Sequence, residues 1–368
     1  MPKITFYPLG NADAILLDLV GGEKVLFDFG DEHNPDDKAE LRIDLTQAIR
    51  DNLAAAEKKG IDVVAFTHLD RDHICGSTRL FWLDHAAKYQ GSDRIHITEM
   101  WIPAAAIVDD ACEDEAKVIQ AEARHRLKAG KGVRVFSRPD VLKDWLAKQG
   151  LTVADRLGCI VDAGTLVPTF SLEKHGVEFF VHSPFGYRLN EAEVVERNRD
   201  SILVQATFQV QGKQTKVILG SDVKWDHLED IVAVTKAHGR NARLEWDVFK
   251  LPHHCSYLSL AEDKGADKTT PVERIAWLYQ TQGSIGGIIV STSWPIPRVG
   301  DDVQPPHRQA ANYYKGIPDR KFVVTMEHPS NAAPKPLVVI IDHTKARIEG
   351  AFSSGVSFVT SQSTPRAG

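Results

Sequence analysis

The chain has 368 residues, enough to bury a large core and to form between one and three domains. Apolar residues make up 43% and charged residues 26%, an ordinary balance for a globular protein. The net charge of −6 gives no support for the broadly basic surface of a nucleic-acid binder and leaves room only for a local basic groove. No apolar run approaches the ~20 residues that span a bilayer, so no membrane partner is expected. Met1 to Tyr7 enters a strand pattern at once, without the features of a signal peptide. Cys75, Cys112, Cys159 and Cys255 are too widely spaced for a zinc ribbon or a C-x-x-C motif and read as reduced thiols. The expected location is the cytoplasm.

Alternating apolar positions predict strands over Ile4–Tyr7, Ala14–Leu19 and Lys24–Asp28, with a hairpin turn at Gly21-Gly22. Leu41, Leu45, Ile49 and Leu53, at four-residue spacing, predict an amphipathic helix that ends near Gly60. The apolar, β-branched run Ile61–Phe66 predicts a buried strand. A helical pattern over Gly76–Tyr89 and a strand over Glu99–Ile102 follow. Asp109–Gly130 is charged, alanine-rich and helical in pattern, with a basic cluster of Arg124, Arg126, Lys128, Lys131 and Arg134. Another helix over Asp140–Lys148 stops at Gly150. Residues 105–150 therefore read as a helical insertion, and as the surface through which a substrate, a protein partner or a second copy of the chain would dock. Strands are predicted over Val177–Val181, Ser201–Gln209 and Lys216–Leu219, a helix over Leu228–His238, and a short strand over Val248–Leu251. Thr270-Pro271 opens a helix through Val272–Gln282. A strand over Ile288–Ser291, a helix over His307–Tyr314, and strands over Phe322–Met326 and Leu337–Ile341 complete the order. Strands and helices alternate throughout, without a repeat or a linker. One α/β domain over residues 1–355 is expected, with 356–368 as a flexible tail.

The densest chemistry follows the Ile61–Phe66 strand. His68, Asp70, Asp72 and His73 fall within six positions in the pattern H-x-D-x-D-H. A lone His-x-Asp is common on solvated loops and binds nothing. Four ligand-type side chains just past a strand end instead suggest a metal site at the rim of a sheet. Three other segments repeat this placement: Val25–Phe27 before Asp28-Phe29-Gly30, Val217–Leu219 before Gly220-Ser221-Asp222, and Val248–Leu251 before Pro252-His253-His254-Cys255-Ser256.

Taken in this order, the segments resemble the metallo-β-lactamase superfamily, and most closely the hydrolase domain of ComEC-type competence proteins and its stand-alone relatives. That group carries D-x-G, H-x-D-x-D-H-x-G-G, T-G-D and K-x-P-H-H-G-S after successive strands. This chain has Asp28-Phe29-Gly30, His68 to Gly76, Gly220-Ser221-Asp222 and Lys250 to Ser256 at the matching places. Gly10-Asn11-Ala12-Asp13-Ala14-Ile15, His182-Ser183-Pro184, Asn198 to Leu203 and Pro306-His307 resemble further family segments. The likeness covers most of the chain outside 105–150.

The resemblance implies an αββα metallo-β-lactamase sandwich with two divalent metal ions at one sheet edge, zinc as the first choice and manganese as the second. His68 and Asp70 would hold one ion, Asp72 and His73 the other. Asp222 would bridge them, and one of His253 and His254 would complete the second position. Asp28 would orient a ligand from behind. The family's third-motif histidine has no obvious equivalent, which leaves His182 and Asn198 as candidates, and His307 as a candidate for lining the pocket. The implied reaction is hydrolysis by a metal-bridging hydroxide, with Asp72 as a catalytic ligand. The substrate class is a phosphodiester, either a small molecule or a nucleic-acid end. The alternatives are a hydrolase of lactones, thioesters or other carbonyl compounds, and a non-catalytic, metal-stabilised partner-binding subunit. Cys75 and Cys255 replace two family glycines, and a shared packing space for the two thiols behind the site is expected.

Overall fold

In the computed structural model, which describes residues 1–189, 195–299 and 303–350, two mixed sheets face each other across a common core. The strands are β1 (Lys3–Phe6), β2 (Ile15–Asp18), β3 (Lys24–Phe27), β4 (Gly60–Ala65), β5 (His96–Pro103), β6 (Val133–Phe136), β7 (Ile160–Val161) and β8 (Val177–Ser183). They continue as β9 (Leu203–Val210), β10 (Lys213–Leu219), β11 (Trp246–Lys250), β12 (Gly283–Ser291), β13 (Lys321–Val324), β14 (Leu337–Ile341) and β15 (Ala346–Ile348). The larger sheet has the order β15-β14-β1-β2-β3-β4-β5-β6-β7, and the smaller β13-β12-β11-β10-β9-β8. Pairing is parallel from β3 through β7 and from β10 through β13, and antiparallel elsewhere.

Period-two alternation explains why the strands are apolar on both faces. Val25 and Phe27 of β3, with Val63 and Ala65 of β4, point into the core between the sheets. Leu26, Val64 and Phe66 point the other way, against helices. The helices Leu45–Ala55, Asp114–Ala129 and Asp140–Lys148 cover the outer face of the larger sheet. Trp225–Ala237, Glu273–Gln280 and Arg308–Lys315 cover that of the smaller. The result is a four-layer αββα sandwich.

Several elements depart from the sequence expectation. The first helix begins at Leu45, because the Asp44 side chain accepts from the Gln47 N–H and caps it there. Gly76–Tyr89 is helical only over Ser77–Leu80 and, as a 3₁₀ turn, over Ala87–Tyr89. Between them Phe81 is fully buried and bridges in parallel to Ile95, which draws the chain out of the helix. Residues 105–150 are not purely helical: β6 lies within them and pairs with β5 from Met100↔Val133 to Pro103↔Phe136. Four residues between two helices are too few to leave a period of their own. The basic cluster is largely consumed inside the fold. Arg126 is buried and binds Glu122 at 2.6 Å, Arg124 donates to the Ile107 carbonyl, and Arg134 pairs with Glu99 at 3.0 Å. The expected tail, 356–368, lies outside the described residues. Among the described residues no helix is long and apolar enough to cross a membrane.

Candidate metal centre

The ligand-type residues all follow carboxyl ends of parallel strands, where open α/β sheets gather their ligands. Asp28 follows β3, residues 67–73 follow β4, Asp222 follows β10, and His253 and His254 follow β11. Because the two sheets face each other, these ends meet. Backbone hydrogen bonds lash the loops together: Phe29 N–H donates to the His73 carbonyl at 2.8 Å, Asp13 N–H to Asp72 at 3.0 Å, and Gly30 N–H to Asp13 at 2.9 Å. Four non-glycine residues at the rim hold positive φ, namely Asp28 at 59°, His253 at 48°, His254 at 50° and Cys255 at 66°. Such conformations cost on the order of 1–3 kcal/mol each and persist only where the surroundings over-determine them. Cys255 thus stands in the left-handed region that glycine favours.

One oxygen or nitrogen atom from each of Asp72, His73, Asp222 and His254 lies within 4.8 Å of the others. His254 Nε2 is 3.1 Å from Asp72 Oδ2 and 3.6 Å from Asp222 Oδ2, and His73 Nε2 is 3.5 Å from Asp222 Oδ1. Three of the four are aimed from behind. His73 Nδ1 donates to Asp28 Oδ2 at 2.8 Å, so its Nε2 faces the cluster. Asp28 is fixed in turn by the N–H and the hydroxyl of Thr67, both at 2.7 Å. His254 Nδ1 donates to the Thr292 carbonyl at 2.8 Å, which likewise turns its Nε2 inward. His253 N–H donates to Asp222 Oδ1 at 3.2 Å. Partners of this kind select the tautomer and direction of metal-binding imidazoles.

Burial opposes every charge at the centre, and the neighbours decide the outcome. Asp28, Asp72 and Asp222 hold His73 well above the ordinary imidazole range, and Asp222 and Asp72 raise His254. The same imidazoles hold Asp72 and Asp222 below the usual carboxylate range. Burial and the nearby His73 push His68 the other way, towards the neutral ring. Two carboxylates and two imidazoles that each favour the other's charged form make a set in which a divalent ion can take the place of protons. The Nε2 atoms of His68 and His73 are buried without a hydrogen-bond partner, although isolated buried polar atoms are costly. The mixed imidazole and carboxylate donors and these two buried nitrogens fit a divalent cation such as zinc or manganese.

The other candidates are placed differently. His68 Nε2 lies 3.6 Å from Asp70 Oδ2, and neither residue belongs to a group of three or more donors among the described residues. Asp70 pairs with Arg197 Nη1 at 3.0 Å. His253, beside Asp222 with Nδ1 at 3.2 Å from Oδ2, stands outside the four-donor set. His182 is engaged elsewhere: it donates from Nε2 to the Arg243 carbonyl at 2.9 Å and lines a cavity with Phe180, Thr235 and Arg240. Burial pushes its pKa down to about 4. Asn198 uses its carbonyl to accept from the Ser201 hydroxyl. His307 caps the helix Arg308–Lys315 and accepts from Tyr257 N–H at 3.4 Å. The thiols do not meet. Cys255 is buried in the core beneath the smaller sheet's helices, and Cys75 lies beside Arg71 and Glu115 on the larger sheet's side.

Supporting residues emerge that sequence reading does not assign. Asp13 pairs with the fully buried Lys250 behind the centre. The Ser221 hydroxyl donates to Thr67 Oγ1 at 2.9 Å and ties the β10 loop to the β4 loop. Asp13 lies in the Gly10–Ile15 segment and Lys250 opens Lys250–Ser256, so their position was a signal. Thr292 and Arg197 carry none.

No family model matches the chain, and no curated protein matches it. Solved structures do. A diphosphatase of the PhnP family is 10% identical, covers 92% of this chain and 97% of its own, and has a TM-score of 0.34. Unliganded yeast PDE1 is 11% identical, covers 88% and 97%, and has a TM-score of 0.39. BJP-1, a subclass B3 metallo-β-lactamase of Bradyrhizobium japonicum, is 11% identical, covers 67% and 75%, and has a TM-score of 0.30.

Proposed function

We propose that this chain is a metal-dependent hydrolase of phosphodiesters. The observation that carries the reading is the convergence of Asp72, His73, Asp222 and His254, three of them aimed by partners outside the set, at one rim between the sheets. Asp72, His73, Asp222 and His254 would hold a divalent ion, and His68 and Asp70 lie beside that position. When bound, the metal supplies Lewis-acid polarisation of the substrate and acidifies water. The protein's own groups do the rest. Asp28 and the Thr292 carbonyl keep both Nδ1 atoms protonated, which leaves the Nε2 lone pairs for coordination. Asp72 is the least buried of the four, so its carboxylate is the one placed to accept a proton from attacking water. Arg197, part-exposed beside Asp70, offers a fixed guanidinium to an anionic substrate group. The phosphodiester class rests on the resemblance of the strand-end motifs to the ComEC-type group.

The test is a metal analysis followed by parallel assays on bis(p-nitrophenyl) phosphate and on simple lactones, with zinc and with manganese. The expected outcome is phosphodiester hydrolysis that Asp72→Ala abolishes while the cooperative unfolding transition remains. Lactone turnover without phosphodiester turnover would replace the proposed substrate class. Loss of folding in Asp72→Ala would make the metal structural.

A further inference from the structure

The two halves of the H-x-D-x-D-H motif are built unequally. Asp72 and His73 enter a four-donor set, whereas His68 and Asp70 belong to no group of three or more donors among the described residues. Asp70 is also already paired. Arg197 Nη1 lies 3.0 Å from Asp70 Oδ1, and the guanidinium is clamped from its far side by Asp109, with Nε at 3.0 Å and Nη2 at 2.9 Å. Asp109 is itself buried and held, accepting from Ala111 N–H at 2.8 Å. His68, Asp109 and Arg197 line one small cavity together with Leu69, Pro103 and Ala105. A fixed cation therefore stands against Asp70, one of the two donors that a second metal ion would need. An ion there would meet like charge nearby and would have to share the Asp70 carboxylate with an arginine that two carboxylates retain.

We propose that this chain retains a single divalent ion, in the set Asp72, His73, Asp222 and His254, and that Arg197, clamped by Asp109 and paired with Asp70, excludes a second. The inference deepens the metal-dependent reading above and rests on it for the first ion, but not on the substrate class.

The experiment is metal stoichiometry on the full chain. Protein saturated with zinc, and separately with manganese, is passed through gel filtration, and bound metal is measured by mass spectrometry. The unaltered chain is expected to keep one equivalent. Arg197→Ala should rise to two, and Arg197→Lys, which keeps the charge, should stay at one. Asp70→Ala should also keep one equivalent, while Asp72→Ala should fall towards none. Two equivalents in the unaltered chain, one equivalent in a folded Arg197→Ala protein, or loss of metal from Asp70→Ala would each overturn the proposal. Should Arg197→Ala fail to fold, as thermal melting would reveal, the unaltered chain and Asp70→Ala still decide it. A chain that holds one ion but cleaves no phosphodiester would remove the substrate reading and leave this one standing.

Discussion

Gly30 is the point at which a single methyl group should disturb the whole centre. A Cβ at this position would lie 2.0 Å from the carbonyl oxygen of Asp72, 2.9 Å from its carbonyl carbon and 3.0 Å from the Ala12 Cβ. The clash is with backbone, so no rotamer relieves it. Nor can the loops separate freely. Gly30 N–H donates to Asp13, Asp13 N–H donates to the same Asp72 carbonyl, and Phe29 N–H and Asp31 N–H donate to His73 and Cys75. Overpacking of this kind costs ~1–3 kcal/mol. Loss of the Asp13–Asp72 hydrogen bond inside the fold adds about 1–3 kcal/mol. A total of roughly 2–6 kcal/mol is expected for Gly30→Ala. At ~2.1 cal/mol/K per residue, the 368 residues give an unfolding entropy of about 0.8 kcal/mol/K, hence a fall in Tm of about 3–8 °C. Because the displaced group is the backbone of Asp72, metal retention should drop as well. The assay is thermal melting of metal-loaded protein together with bound-metal analysis. Gly158→Ala serves as control, since a Cβ there meets nothing within 4 Å. A Gly30→Ala protein with unchanged Tm and unchanged metal content would refute the reasoning.

Three further outcomes are expected. Asp28→Asn should weaken metal binding by ~10–100-fold in a competitive chelator titration, because it removes the carboxylate that orients His73; unchanged affinity would show that Thr67 and packing suffice. Lys250→Met should lower stability to urea by about 3–5 kcal/mol, since it strands the buried Asp13 carboxylate near Asp28 and Asp222. Asp13→Asn in the same chain should recover part of that loss, and strict additivity of the two changes would contradict the pairing. Glu122 is fully buried, and although burial opposes its charge, Arg126 and backbone donors hold its carboxyl below the ordinary 4.5. Its folded-state value is depressed, so its stabilisation is present above pH 4.5 and is lost as pH falls through the folded-state value. Glu122→Gln should therefore destabilise by about 2–4 kcal/mol at pH 7, and the gap to the unaltered chain should close below pH 4.5; a gap independent of pH would rule out the charge as its origin.

What the amino-acid order determined by itself is the set of local couplings between strand and ligand. Ile61–Phe66 is apolar on both faces and His68 to His73 follow at once, so strand and donors could be read in one window. The same holds for Val217–Leu219 with Asp222, and for Val248–Leu251 with His253 and His254. Two-residue periodicity and the residues that end it are short-range signals. The tertiary structure decided the rest. His253 and His254 are neighbours in sequence, and the Thr292 carbonyl, just past the end of the next strand, turns His254 into the four-donor set that His253 stands outside. His182 ends a strand as the donors do, yet the Arg243 carbonyl engages it 61 residues away. Arg197 reaches Asp70 across 127 positions and Lys250 reaches Asp13 across 237. Such pairs leave no periodic trace, because they form only when separate loops are carried to one rim by the packing of two sheets. On the proposal above, whether the motif holds one ion or two turns on such a pair, for Asp70 has the same identity in the sequence whether or not an arginine stands beside it.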